Sequence, residues 1–169
     1  RFVCLHMREG GYSRDWDNIR NTNIANYLGA IKEITQRGGW VVRMGDPTMT
    51  KLPPLERVID YAHSPRRSAL MDVYLLKECS FYVGTSSGIT DTALLLGKSV
   101  VLTNMTAWIN LLPPQSGDLI IFKHVYSKSE KRFISIQEWL QRASMITAEH
   151  WSSPDWQLVE NSDAEITSA

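Results

Sequence analysis

Short unbroken apolar runs alternate along this chain with segments of helical periodicity. Phe2-Val3-Cys4-Leu5-His6, Trp40-Val41-Val42-Arg43-Met44, Phe81-Tyr82-Val83-Gly84, Ser99-Val100-Val101-Leu102-Thr103 and Leu119-Ile120-Ile121-Phe122 are the runs. Runs of that length and β-branched content suit strands covered on both faces. Ile24, Tyr27, Leu28, Ile31 and Ile34 recur at helical spacing opposite Lys32, Glu33 and Gln36, with Asn23 as N-cap and Gly38-Gly39 as the stop. A second helix is predicted over Ser68 to Glu78, with Leu70, Met71, Tyr74 and Leu75 as its apolar stripe. A third runs from Ile89 to Leu96, with Gly97 in the C′ position. Val58-Ile59-Asp60-Tyr61 reads either as a short third strand or as a helical turn, and Ser135-Ile136-Gln137-Glu138 has the form of a capping box before a short helix.

Alternating strands and helices predict an α/β fold: a Rossmann-like parallel sheet with helices on both faces. Residues 1–150 are expected to form that one domain and residues 151–169 a polar C-terminal tail, whose part from Asn161 onward is expected to be mobile because it has little to bury. The polar stretch Ser13 to Asn23 and the segment with Pro113-Pro114 are expected to be loops. A length of 169 residues allows one real core and excludes two large domains. The chain begins without Met in a strand-like run, so it is expected to be a piece of a longer protein.

Charge and composition narrow the function classes. The 18 basic and 18 acidic residues cancel, which argues against a nucleic-acid partner or an anionic membrane surface. No apolar run reaches the roughly 18 residues of a membrane span. The two cysteines, Cys4 and Cys79, sit in or beside apolar runs and are expected to be buried free thiols; no zinc-site spacing is present.

The candidate chemistry gathers at strand ends. Gly84-Thr85-Ser86-Ser87-Gly88 joins a strand to a helix with small hydroxyl residues and free backbone N–H groups, a combination that holds phosphate. Arg8 follows the first strand in a glycine-bounded loop, and its guanidinium suits a diphosphate. His6 ends the same strand, and Arg43 ends the second, with an ion pair to Asp46 or Asp60 as its alternative use. Asp72 lies within the second predicted helix, where aspartate is more often simply solvated.

Taken in order, His6-Met7-Arg8-Glu9, Arg20-Asn21 with Ile24 and Asn26-Tyr27, Arg43 to Pro47, Asp60-Tyr61, Met71-Asp72 and Gly84 to Gly88 resemble a family of bacterial surface-polysaccharide glycosyltransferases. More distantly, the set is similar to the donor-binding half of GDP-fucose-dependent fucosyltransferases. The resemblance implies one half of a two-domain (GT-B-type) fold that works without a metal or other cofactor. It implies a nucleotide-diphosphate sugar as donor, a GDP-sugar being favoured, and a surface glycan or related acceptor. Arg8 would be the catalytic group at the donor's β-phosphate. His6, Arg8, Arg43, Asp72, Thr85, Ser86, Ser87 and Gly88 would bind the donor. Where that fucosyltransferase pattern has a second arginine and then an acid, this chain has Glu9 and Gly11. The implied partners are the donor, the acceptor and an N-terminal domain of the parent chain. The implied location is the cytoplasm, or a membrane surface reached through the parent chain or its partners. Glu9 and Asp15 lie near the expected edge, but neither is selected as catalytic base.

Two rival classes remain open at this level. Gly84-x-Ser86-x-Gly88 also has the form of a nucleophile elbow, which would make Ser86 the nucleophile of an α/β-hydrolase-like esterase. Its acid and histidine would be Asp118 and His124, yet one strand's length separates them. A non-catalytic nucleotide-binding module is the second rival.

Overall fold

The computed structural model describes residues 1–11, 19–106, 115–142 and 155–169. The predicted loop at Pro113-Pro114 and most of the loop from Ser13 lie outside them, as does Asp15. Six strands form one parallel sheet: β1 (Phe2–His6), β2 (Trp40–Arg43), β3 (Val58–Ile59), β4 (Tyr82–Gly84), β5 (Val100–Met105) and β6 (Leu119–Phe122). Their order is β3-β2-β1-β4-β5-β6, and every adjacent pair is parallel. This is the Rossmann strand order, and the α/β expectation holds. The segment from Val58 to Tyr61 resolves into both readings: a short strand at Val58–Ile59, then a 3-10 turn over Tyr61–His63.

The period of two along each strand divides the core between the two faces of the sheet. Cys4, Val42, Tyr82, Val100 and Leu102 face α2 (Ala69–Glu78) and α3 (Gly88–Leu95). Val3, Leu5, Val41 and Val83 face α1 (Leu28–Gln36), which a 3-10 turn over Ile24–Tyr27 leads into. Asn23 caps that turn as predicted, its side chain accepting from Ala25 N–H at 2.9 Å. Gly97 ends α3 at φ +69, a left-handed conformation that glycine adopts without cost. The predicted stripe of α2 is displaced: Leu70 is 81% and Tyr74 55% exposed, while Leu76 and Cys79 are buried and Met71 and Leu75 pack against them. The face of α2 that meets the sheet keeps Met71 and Leu75 of the predicted stripe and turns Leu70 and Tyr74 outward.

Beyond β6 the chain builds a second layer that the sequence pattern does not announce. β7 (His124–Ser127), β8 (Arg132–Ile134) and β9 (Trp156–Val159) form an antiparallel sheet in the order β8-β7-β9. The short helix α4 (Ile136–Arg142) follows β8, and Val125, Ile134 and Trp139 make the small core.

Residues 155–169 correct the expectation of a loose tail. They supply β9 and then α5 (Asp163–Ser168), which packs against α1 and buries Ile166 in the core. Ser162 and Glu165 close a reciprocal capping box at the start of α5. Asn161 is buried and exchanges two 2.7 Å hydrogen bonds with Asn104: Asn104 N–H donates to Asn161 Oδ1, and Asn161 N–H donates to Asn104 Oδ1. Asn104 sits at φ +53, where the pairing of β5 with β6 shifts register. Asparagine tolerates that conformation better than most residues. The segment is polar because its buried groups are hydrogen-bonded, so hydropathy alone misreads it.

Among the described residues, no helix is long and apolar enough to cross a membrane. Cys4 and Cys79 are both free and buried, as expected.

Candidate functional site

The sheet order reverses between β1 and β4. From β1 the chain builds outward through β2 and β3, then crosses back to β4 and continues the other way. A crevice opens at the carboxyl ends of two strands whose connections leave in opposite directions, and open α/β sheets bind ligands there. A cavity of about 470 Å³ occupies this place, within the size range of small-molecule sites.

Each wall has a local cause. β1 pairs with β4 through His6↔Gly84, so the residues after each strand leave side by side. A Cβ on Gly84 would collide with His6 O and the Tyr82 ring, so only glycine allows this approach. Thr85 N–H donates to His6 O at 3.1 Å, and Arg8 N–H donates to Thr85 Oγ1 at 2.9 Å. These bonds lash the loop after β1 to the turn after β4 and set where Arg8 starts. Ser87 is the N-cap of α3, its Oγ accepting from Thr90 N–H at 3.4 Å. Thr90 Oγ1 donates to Thr85 O at 2.5 Å and therefore accepts from Tyr82 O–H at 2.9 Å.

The opposite wall is the start of α2. Ser68 caps it, its Oγ accepting from Met71 N–H at 3.2 Å, and Ser68, Ala69 and Asp72 line the cavity. Ser87, Gly88 and Ile89 line it from the start of α3. Two helix N-termini therefore open onto one space, and first-turn N–H groups have no acceptor within their own helix. Each carries part of the positive end of a helix dipole. Arg8 and Arg67 add formal positive charge at the same place, Arg67 held by a 2.9 Å bond from Nη1 to Gly45 O. Glu9, Asp46 and Asp72 supply the acidic lining. Asp72 Oδ1 is buried, and the Asp72 carboxylate lies beside Tyr61, whose pKa is raised first by burial and then by that carboxylate.

His6 is 7% exposed, and its pKa is lowered to about 4, first by burial and then by the positive charge of Arg43. The imidazole is neutral at pH 7, with Nδ1 3.2 Å from Ser87 Oγ.

The structure thus gathers His6, Arg8, Asp72, Ser87 and Gly88 of the expected set around one cavity. Arg43, Thr85 and Ser86 do not line it. Arg43 is wholly buried: Nη1 donates to Asp60 Oδ1 at 3.1 Å, and Nη2 donates to Glu9 Oε1 and Thr50 O, both at 3.0 Å. Glu9 Oε2 also accepts from Thr50 N–H, and Asp60 Oδ2 from Leu52 N–H. Arg43 fastens the loop after β2 to the carboxyl edge instead of meeting a ligand. Thr85 is also buried and positions Arg8. Glu9 is spent on Arg43 and Thr50, which leaves it poorly placed as a base.

The sequence reading missed Arg67, Asp46 and the start of α2 as cavity walls. Ser68 three residues before Met71 was a legible N-cap signal, but nothing local shows that α2 and α3 point their starts at the same space. Nor does the hydrolase set assemble. Ser86 lies outside the cavity; Asp118 caps backbone N–H groups of Val100 and Gln115; and His124 Nε2 lies 2.7 Å from Glu165 Oε1. Among the described residues, no group of three or more His, Cys, Asp or Glu side chains is arranged to hold a metal ion. Comparison with family models, curated proteins and solved structures returned no match to this chain.

Proposed function

We propose that this domain binds a nucleotide-diphosphate sugar and forms the donor half of a glycosyltransferase. The observation that carries the reading is the convergence of Arg8, Arg67 and the N-termini of α2 and α3 on one cavity at the switch point of the sheet. A diphosphate carries separated negative charges and many acceptor oxygens. Two helix starts and two guanidinium groups match both features. The ordered motifs that resemble surface-polysaccharide glycosyltransferases support the same class, with a GDP-sugar as the favoured donor.

In glycosyl transfer the leaving group is the nucleoside diphosphate, and negative charge grows on its β-phosphate as the glycosidic bond breaks. Arg8 is the residue assigned to that charge, and the N–H groups of Gly88 and Ile89 assist it. The bond from Arg8 N–H to Thr85 Oγ1 fixes its backbone before substrate arrives, so little reorganisation is needed at the transition state. Ser87 keeps its hydroxyl between α3 and neutral His6, which places no competing positive charge beside the sugar. The acceptor and the catalytic base are assigned to the partner domain of a longer chain.

The deciding experiment is thermal-shift titration of the protein with GDP, UDP, ADP, their sugars and the corresponding nucleosides. A binder of the folded state raises the melting temperature by mass action. Stabilisation by one diphosphate and its sugar, with none from the nucleoside, is expected. No response to any diphosphate would overturn the reading. Binding without sugar transfer, even in the complete parent protein, would favour the non-catalytic nucleotide module.

A further inference from the structure

The carboxylates of Glu9, Asp46 and Asp72 line the cavity in unequal states of use. Both oxygens of Glu9 are bound, Oε1 by Arg43 and Oε2 by Thr50 N–H. Asp72 has Oδ1 buried and stands beside Tyr61. Asp46 is half-buried, and the hydrogen bonds that its side chain accepts both fall on Oδ1, from Thr48 N–H at 2.9 Å and from the Thr48 hydroxyl. Among the described residues, Asp46 Oδ2 has no hydrogen bond or ion pair. A carboxylate offers about four lone-pair sites. Those of Oδ1 are used, and those of Oδ2 stay open.

The local sequence holds this carboxylate still. Asp46-Pro47-Thr48-Met49 places aspartate first and proline second in a β-turn, and Met49 N–H donates to Asp46 O at 3.2 Å. Gly45, at φ +138, lets Met49 fold back against the backbone, where a Cβ would strike Met49 Sδ. Gly45 O in turn accepts from Arg67 Nη1 at 2.9 Å. The open carboxylate oxygen and one cation of the cavity are thus anchored on successive residues.

That adjacency orders a ligand along the cavity. On the nucleotide-diphosphate reading, on which this inference rests, Arg8 meets the β-phosphate and Arg67 falls to the α-phosphate. The group joined to the α-phosphate is the ribose, and the next residue along this wall is Asp46. Ribose offers two hydroxyl donors on adjacent carbons to the open lone pairs of Oδ2. Sheets that bind dinucleotides meet their ribose in the same way, with one carboxylate. The transferred sugar, on the β-phosphate, lies at the other end, towards Arg8.

We propose that Asp46 reads the ribose of the donor nucleotide, its Oδ2 accepting from the 2′- and 3′-hydroxyls, and makes the site selective for ribonucleotides over 2′-deoxyribonucleotides. A site built to accept from a hydroxyl rejects the analogue that lacks it, because the carboxylate then loses water without gaining a donor. Thr48 acts through Asp46: its two bonds to Oδ1 turn Oδ2 to the cavity.

The test is calorimetric titration of the protein with GDP and dGDP, UDP and dUDP, and ADP and dADP. The tightest ribonucleoside diphosphate is expected to bind about 10- to 100-fold more tightly than its 2′-deoxy counterpart, the worth of one charge-assisted hydrogen bond. Asp46→Asn, checked for folding by its thermal melt, keeps an oxygen for Thr48 and puts an amide in place of Oδ2. It should weaken the ribonucleotide most, so that the two forms bind alike. Should that variant not fold, the wild-type pair decides alone. Equal binding of the ribo and deoxy forms by the wild type would overturn the proposal and leave the diphosphate reading standing. So would discrimination that survives Asp46→Asn, or a loss in that variant seen with the nucleotide sugar but not with the diphosphate. No binding of any diphosphate would overturn both.

Discussion

Ser87 Oγ lies 3.2 Å from Nδ1 of His6, joining the cap of α3 to the end of β1 across 81 positions of sequence. The same hydroxyl accepts from Thr90 N–H, so one small side chain ends a helix and satisfies a buried imidazole. Ser87→Ala removes both contacts. The expected cost is about 1–2 kcal/mol, from the lost cap and the unsatisfied ring nitrogen. Urea denaturation at pH 7 measures it, and an unchanged midpoint would mean that water replaces the hydroxyl.

His6 also makes a pH prediction. Its folded pKa of about 4 lies below the ordinary 6.5, so between those values the unfolded chain binds the proton and the folded one does not. Stability therefore falls as pH drops from about 6.5 to about 4, by at most about 3 kcal/mol. Carboxylates held below their usual range, such as Glu165, lose stability lower down. Comparing the protein with His6→Gln at pH 7 and pH 4.5 isolates the imidazole. The variant should lose less on acidification, and parallel losses would refute the assignment.

Arg43 is expected to be the most damaging single loss outside the apolar core. Arg43→Met leaves Glu9 and Asp60 as partly buried carboxylates without their shared cation. Breaking such a pair from one side costs about 3–5 kcal/mol. The loop carrying Thr50 and Leu52 should then exchange its amide hydrogens faster, which hydrogen-exchange mass spectrometry reads directly. A loss of nucleotide binding with unchanged stability would instead return Arg43 to the ligand.

Arg8 and Arg67 make the opposite prediction. Arg67 is exposed, so Arg67→Ala should leave the urea midpoint within about 0.5 kcal/mol of the parent, and Arg8→Ala, at a half-buried position, is measured beside it. Each should weaken binding of the preferred nucleoside diphosphate by about 10- to 100-fold, the worth of one charge-assisted hydrogen bond. The loss should be smaller for the monophosphate, and calorimetric titration of both ligands separates the two. In the full-length protein, Arg8→Ala should slow turnover by on the order of 100-fold or more, because its partner charge is largest in the transition state.

Asn161→Ala tests the end of the chain. It strips the acceptor from Asn104 N–H and one donor from Phe122 O. About 2–4 kcal/mol should be lost at one to two per group. The fastest rise in amide exchange should fall on β9 and α5. A uniform change across the domain would mean that these elements fold only with the rest.

The α/β class and all but one of the parallel strands were legible in the sequence, because a strand buried on both faces must be apolar along its whole length. Some helix ends were legible for an equally local reason: Asn23 and Gly97 cap or stop helices through bonds and dihedrals within a few residues. His6, Arg8, Ser87 and Gly88 could be nominated because each lies in a segment whose place on the carboxyl edge follows from strand direction, whereas Asp72 was nominated only by the resemblance. What only the tertiary structure decided is which of these residues share a cavity. Arg43 was spent inward on Glu9 and Asp60, while Arg67 entered from a loop without local signal. The fate of residues 155–169 was likewise decided at long range, since Asn161 finds its partner 57 residues away. Local pattern reports the environment that a side chain prefers; the partner that satisfies it is fixed only when the sheet brings distant strand ends together.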